Sequence, residues 1–429
     1  MKIHKLRDLL LIKNGRDHSV LSDGEIPVYG SGGIMRYANK SIYNDESILL
    51  PRKGTLSNIQ YVNKPFWSVD TIYYTIVNKD LADPFFLFNY LKSLDLSNLN
   101  TGTGVPSMTF ESYYNLEIKL PSISIQKKIA SVLSSLDSKI ELNNRINAEL
   151  EQMAKTIYDY WFVQFDFPIS PEYTASVGQP ELEGKPYRSS GGKMVWSEEL
   201  KREVPEGWEV KKLENVINKI IDNRGKTPLK LGGDWSQDSQ GVIALSAKHV
   251  KDGKLIKLED ANVVTFEMFE KWMPNKLEYG DILMTSEAPC GEFYMILNDT
   301  NYCLSQRLFA MRAENSKVYP SYLYYELAKG NGYSQIIGKQ SGSTVFGIRQ
   351  DELRTVNILV PNLALQRLFD EKVKPMLLQI RTNEAQSRKL TELRDWLLPM
   401  LMNGQVRVGH VDEEGVVGMA EDAVGAYIK

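Results

Sequence analysis

The side chains best suited to chemistry in this chain are cations, hydroxyls and amides gathered on glycine-rich stretches. "YGSGGIMRYANK" carries Ser31, Arg36, Asn39 and Lys40, and "PRKGTLSNIQ" carries Arg52, Lys53, Thr55, Ser57 and Asn58. "NLNTGTGVPS" adds Thr101, Thr103 and Ser107. Further along, "DNRGKTPLK" offers Arg224, Lys226 and Lys230, and "LSAKHVKDGK" offers Ser246, Lys248, His249 and Lys251. "GKQSGSTVFGIRQ" completes the set with Lys339, Gln340, Ser341, Ser343 and Arg349. Cations take phosphates, while amides and hydroxyls read base edges, so such a set suits a nucleic-acid surface. Each cluster alone also fits a solvated turn. Two of them, 101–107 and 340–347, gain weight because they hold corresponding places in a repeat, and backbone amides in such loops can approach phosphate closely.

Other chemistries find no support. The four histidines, His4, His18, His249 and His410, are scattered and lack ligand spacing. Cys290 and Cys303 form no metal set and suggest a reducing, cytoplasmic compartment. "YGSGG" lacks the lysine and hydroxyl of a phosphate cradle and reads as a turn needing positive φ. No "NPPY" or "DPPY" run, dinucleotide loop or nuclease carboxylate set occurs, so the expectation is a non-catalytic binder without a metal. No apolar run reaches the roughly 18–20 residues of a membrane span. Hydrophobic content of 42% and charged content of 24% indicate a globular chain, and its 429 residues suffice for two or three domains. A net charge of −3 gives no global argument for nucleic acid, although a basic face can hide in a balanced total.

These clusters lie in a duplicated framework. "KLPSISIQKKIASVLSSLDSKIELNN" (Lys119–Asn144) returns as "LVPNLALQRLFDEKVKPMLLQIRTNE" (Leu359–Glu384), with Pro361 lying 240 residues after Pro121. "FWSVDTIYYTIVNKDLADPFFLFNYLKS" resembles "YCLSQRLFAMRAENSKVYPSYLYYELAK", and "ESILLPRKG" resembles "GDILMTSEAP". Each copy reads as a mixed α+β globular part followed by a long helix. "TIYYTIV" and "CLSQRLFAM" read as strands, and "PFFLFNYLKS" and "SYLYYELAKG" as short helices after a proline. The first apolar run, "HKLRDLLLIKNG", fits a helical period. The expected segments are a first globular domain 1–120, helix 121–166, a linker 167–207 rich in Pro, Gly and Ser and read as extended, a second globular domain 208–360, helix 361–404, and a tail 405–429.

In the first helix the seam is read as Ile129, Leu133, Leu136, Ile140, Ile146, Leu150, Met153, Ile157 and Trp161. In the second it is Phe369, Val373, Met376, Ile380, Leu390, Leu393, Leu397 and Leu401. Pro375 predicts a kink or break. Polar residues interrupt both seams, Asn143 and Asn147 in one, Asn383 and Ser387 in the other, and such breaks can fix register. Two apolar stripes on one chain pair most simply with each other. Parallel pairing brings Asn143 to Asn383; antiparallel pairing brings Asn143 to Ser387 and Asn147 to Asn383. The antiparallel form is preferred because a two-fold relation then places the globular parts at opposite ends. Residues 129–161 as helix would span about 50 Å, near one and a half turns of B-form DNA. A two-lobed scaffold for other protein partners is the alternative.

"GTGVPSMTFESYYNLEIKLPSISIQKKIASVLSSLDSKIELNNRINAELEQMAKTIYDYWFVQFDFP", "GKPYRSSGGKMVWSEELKREVPEGWEVKKL" and "LPMLMNGQV" together resemble the specificity subunit of type I DNA restriction–modification systems, over nearly the whole chain to about residue 405. The resemblance implies two target recognition domains in a pseudo-two-fold repeat, each reading half of a bipartite, asymmetric duplex site. It implies a pair of long antiparallel coiled-coil helices that set the spacer and dock two modification subunits, which methylate adenine N6 with AdoMet. It also implies restriction subunits that use ATP and Mg2+, while this chain itself holds no cofactor. Gly102, Ser107, Gly342 and Ser343 would flank the two helix entrances.

Overall fold

The computed structural model describes residues 1–96, 106–238, 241–298, 301–342, 344–406 and 408. The chain divides into two compact units: Met1–Asn143 joined by the chain from Ala385 onward, and Asn144–Glu384.

The first unit begins with β1 (Lys2–Lys5), a single helical turn α1 (Leu6–Leu9) and β2 (Leu10–Asn14). The opening apolar run is therefore mostly strand: Leu6 and Leu9 are buried in the one turn, and Leu10 and Ile12 are buried along the strand that follows. Then come β3 (Ile26–Gly30), β4 (Gly33–Ala38), β5 (Ser47–Pro51), β6 (Gln60–Val62), β7 (Trp67–Ser68), β8 (Ile72–Val77), α2 (Pro84–Lys92), α3 (Phe110–Tyr114), β9 (Glu117–Leu120) and the long α4 (Ile123–Tyr158). One antiparallel sheet has the order β2-β8-β5-β6, and a second has the order β4-β3-β7, with β3 antiparallel to β4 and parallel to β7. β5 is buried at every residue, as befits a strand covered on both faces. Ser31 and Gly32 make the tight turn between β3 and β4, with Gly33 at φ +117°, as the glycine-rich stretch required. β1 closes on β9, tying the start of the chain to the foot of the long helix.

The second unit contains α5 (Pro171–Val177), the hairpin β10 (Met194–Ser197) and β11 (Arg202–Pro205), β12 (Glu209–Lys212), β13 (Ile217–Asp222), β14 (Val242–Leu245), the small hairpin β15 (Val250–Lys251) and β16 (Lys254–Leu255), β17 (Val263–Val264), α6 (Phe266–Trp272), β18 (Ile282–Thr285), β19 (Phe293–Met295), β20 (Tyr302–Leu304), β21 (Leu308–Ala313), α7 (Pro320–Ala328), α8 (Asn331–Gly338), α9 (Gln350–Arg354), β22 (Asn357–Val360) and the start of α10 (Leu363–Asn403). Both long helices are shared: α4 passes into the second unit after Asn143, and α10 passes into the first after Glu384. The sheet orders β13-β21-β18-β19 and β17-β14-β20 repeat those of the first unit, including one parallel pair, and β12 closes on β22. Among the additions are the β15–β16 hairpin and α6, whose Met268, Phe269 and Trp272 are buried. β4 has no such cover and leaves Ile34, Met35 and Tyr37 exposed. The stretch 167–207 is folded rather than extended. Phe167 stacks on Tyr187 and Trp208 with ring centroids 4.6 and 5.2 Å apart, so aromatic burial overrides its Pro/Gly/Ser composition.

α4 and α10 pair antiparallel within each unit. In the first, Arg394 reaches Asp137 at 2.8 Å, and Asn143 Nδ2 donates to Gln386 Oε1 at 2.9 Å and to Ser387 Oγ at 3.2 Å. In the second, Asn383 Nδ2 donates to Asn147 Oδ1 at 2.8 Å, and Phe369 lies against Tyr158. The seam runs without interruption through these polar residues: 133, 136, 140, 143, 147, 150, 154, 157 and 161 keep strict three–four spacing. Two residues read into the seam fall outside it, since Met153 is 53% and Leu393 is 41% exposed. Ala154 and Arg394 hold those places. α10 continues through Pro375 without a break; one missing N–H is offset by Val373, Leu377 and Ile380, all buried.

Candidate nucleic-acid interface

Each globular part is locked to its helix by one buried glutamine. Gln126 Oε1 accepts from the Asp83 N–H at 3.0 Å, and its Nε2 donates to the carbonyls of Leu81 and Pro121 at 3.1 and 3.0 Å. Gln366 repeats this with the Tyr319 N–H at 2.8 Å and the carbonyls of Lys317 and Pro361 at 3.5 and 2.7 Å. The duplicated helix entrance is thus a joint. It fixes the start of the long helix to the start of α2 or α7, both of which open on a proline.

In each unit the loops after the central strands converge by the same backbone bonds. In the first unit the Arg52 N–H donates to the Thr71 carbonyl at 2.9 Å, the Met108 N–H donates to the Arg52 carbonyl at 3.0 Å, and Lys53 bridges to Ser107. In the second the Ser286 N–H donates to the Arg307 carbonyl at 2.9 Å, the Ile348 N–H donates to the Ser286 carbonyl at 2.9 Å, and Glu287 bridges to Gly347. The β3–β4 turn joins the first cluster: Asn58 Nδ2 donates to the Ser31 carbonyl at 2.6 Å, Gln60 Nε2 to that of Gly30 at 3.2 Å, and Ser31 N–H to Thr71 Oγ1 at 3.3 Å. This frame brings Ser31, Arg52, Lys53, Asn58 and Ser107 together, with Ser57 exposed on the same loop.

Other candidates lie elsewhere or are committed. Arg36 is paired with Asp23 at 2.9 Å and also donates to the Leu21 carbonyl, and Lys40 is exposed beyond the end of β4. Arg224 forks onto Asp222 at 2.9 and 2.8 Å and lies over the Phe309 ring at 4.2 Å. Lys226 is held by the Trp272 carbonyl, Lys248 by that of Asp260, and Lys339 by Glu352 at 3.4 Å. Ser341 pairs through its backbone with Gly347, and Arg349 is exposed at the N-cap position of α9, with no side-chain capping bond. Lys251 is exposed on the β15–β16 hairpin. His249 is a correction: it is 1% exposed, its Nδ1 accepts from the Ser246 N–H at 3.0 Å, and it caps a turn instead of facing solvent. Burial first, and Lys248 second, push its pKa below the usual value. Thr103 and Ser343 lie outside the described residues.

Sequence reasoning passed over Thr71, Glu287 and Arg307, which stand on the frame itself. The signal was present in the repeat, where "PRKG" aligns with "TSEA" and "SVDT" with "LSQR". Gln126 and Gln366 were likewise visible five residues after each proline. Among the described residues no group of three or more His, Cys, Asp or Glu is placed to hold a metal ion, and no helix is long and apolar enough to cross a membrane. Burial pushes the Cys290 and Cys303 thiols up to about 11 and about 12.

A family model for the type I restriction modification DNA specificity domain matches twice, at residues 1–152 and 205–392. The chain belongs to the family of type I restriction–modification specificity subunits. Among the relatives of this specificity subunit, the type I restriction enzyme HindI specificity subunit of Haemophilus influenzae is 25% identical over 77% of this chain and 79% of its own. The MjaVIII specificity subunit of Methanocaldococcus jannaschii is 22% identical over 96% of this chain and 94% of its own. The crystal structure of the type I S subunit from M. genitalium shares the fold, with a TM-score of 0.59 at 14% identity, covering 93% of this chain and 95% of that one.

Proposed function

We propose that the two globular parts of this specificity subunit read the two halves of a bipartite, asymmetric site in duplex DNA. The observation that carries this reading is one backbone frame built twice and furnished differently, with Arg52, Lys53 and Thr71 in one copy and Ser286, Glu287 and Arg307 in the other. A shared frame presents loops at the same depth, and different side chains select different bases. The paired α4 and α10 set the unread spacer and dock two modification subunits, which methylate adenine N6 with AdoMet. Restriction subunits supply the ATP- and Mg2+-dependent cleavage of unmodified DNA. This chain contributes recognition and no catalytic group, holds none of those cofactors, and works in the cytoplasm.

Methylome sequencing of a host carrying this chain with its modification partner tests the reading. A single bipartite adenine-methylated motif with a fixed gap is expected. Removing seven residues from both α4 and α10 should then shorten or abolish the gap; an unchanged motif with an unchanged gap would remove the helices' role as a ruler.

A further inference from the structure

We infer that Arg307, braced by Glu287, reads a guanine in the half-site taken by the second globular part. The inference rests on the half-site reading above and names a specificity-determining side chain within it. Arg307 sits between β20 and β21, where its carbonyl takes the Ser286 N–H. Its backbone is left-handed at φ +64°, a conformation that glycine or asparagine adopts more cheaply. That conformation fixes the backbone from which the long side chain leaves the frame. Arg307 Nε pairs with Glu287 Oε1 at 3.1 Å, and the two side chains are 48% and 40% exposed. Among the described residues the Arg307 guanidinium is paired through Nε alone, leaving its terminal nitrogens without a hydrogen-bond partner. That two-pronged edge matches the paired O6 and N7 acceptors that guanine presents in the major groove.

Three comparisons narrow the assignment. Arg224, on the neighbouring strand end, has both Nε and Nη2 on Asp222, so its fork is occupied. Thr71 stands in place of Arg307 in the first unit, so that unit cannot aim a fork from this position. Glu287 would repel a phosphate, so the pair suits a base edge better than the backbone. The site is also built closely. A Cβ on Gly347 would lie 2.8 Å from Glu287 Cβ and from the Ser286 carbonyl oxygen, so glycine at 347 lets the backbone there lie against the acid that braces the arginine.

The test uses the complete methylating complex with wild-type chain, Arg307→Lys, Arg307→Gln and Glu287→Gln. Binding to the native motif competes with duplexes in which each base pair is changed in turn. Arg307→Lys keeps the charge and loses the fork. It should cut discrimination about 5- to 100-fold at one G·C pair and leave every other position unchanged. Arg307→Gln should act at the same pair, and Glu287→Gln should act there more weakly, with Arg307 still present. That pair should lie in the half-site that survives an exchange of residues 1–120. Unchanged discrimination at every position in Arg307→Lys, or a half-site without G·C, overturns the assignment while leaving the half-site reading intact. A wild-type complex with no bipartite motif overturns that reading itself.

Discussion

At the same three backbone links, the first unit carries Arg52 and Lys53 with Thr71 behind them, and the second carries Ser286 and Glu287 with Arg307. One copy holds two cations, of which Arg52 donates to the Asp70 carbonyl and lies over the Tyr73 ring; the other holds an acid braced to a cation. The sheets beneath have the same strand order and the same parallel pair, and the joints to the helices use the same glutamine. Architecture is therefore repeated to the level of single hydrogen bonds, while charge at the tips is not. A pair of readers that must present loops alike and select differently needs this division of labour.

The largest effects should come from the seam, where the repeat puts different residues at corresponding places. Phe369 is fully buried and meets the rings of Tyr158, Trp161, Phe162 and Tyr325, whereas its counterpart Ile129 is a smaller buried aliphatic side chain. Phe369→Ala should cost about 3–5 kcal/mol and Ile129→Ala about 2–4 kcal/mol in urea unfolding of the chain. A larger loss for Ile129→Ala would contradict the packing described.

The joints come next and should behave alike. Gln126→Ala and Gln366→Ala each strand one buried N–H and two carbonyls, so each should cost about 2–3 kcal/mol. Clearly unequal losses would break the equivalence of the two entrances.

A pH difference should separate the units. His249 is the one buried histidine among the described residues, and burial disfavours its charged form. Lys248 reinforces that effect, while Asp260 and Glu259 oppose it. Its folded pKa lies below the model-compound value of 6.5, so its contribution is complete above 6.5 and is lost as pH falls through the folded value. Hydrogen exchange should show β14 and its neighbours loosening below pH 6.5 ahead of β3, by up to about 1.4 kcal/mol for each pKa unit of displacement. His249→Asn should remove that pH slope; a slope unaffected by the change would assign it elsewhere.

The smallest effect concerns salt. Lys53→Ala should flatten the salt dependence of DNA binding by about one ion, whereas Glu287→Gln should not flatten it. Equal flattening by both would erase the charge contrast between the tips.

Much of this was legible in the sequence because it depends on local pattern. The proline-led short helices, the repeat and the polar seam positions follow from spacing alone, and the antiparallel pairing brings Asn143 to Ser387 and Asn147 to Asn383 as one of two allowed registers. The seam departs from the apolar pattern at Met153 and Leu393 because each stands one place before the true seam residue, a small Ala154 or a charged Arg394, whose own hydrophobicity is weaker. The 167–207 stretch looked extended because its prolines and glycines outweigh its aromatics in number, though not in buried area. His249 looked like a reader because a histidine among lysines is polar in sequence, and only the fold turns it inward. Arg307 and Glu287 were overlooked because they belong to strand ends that read as apolar runs, and their meeting depends on contacts between distant segments.

The central claim is that each unit reads alone. Its most direct measurement is methylome sequencing of a host carrying this chain with residues 1–120 exchanged for those of a relative of different specificity, beside the same modification partner. One half of the methylated motif should change while the other half and the gap stay as they were. Both halves changing together would contradict the account.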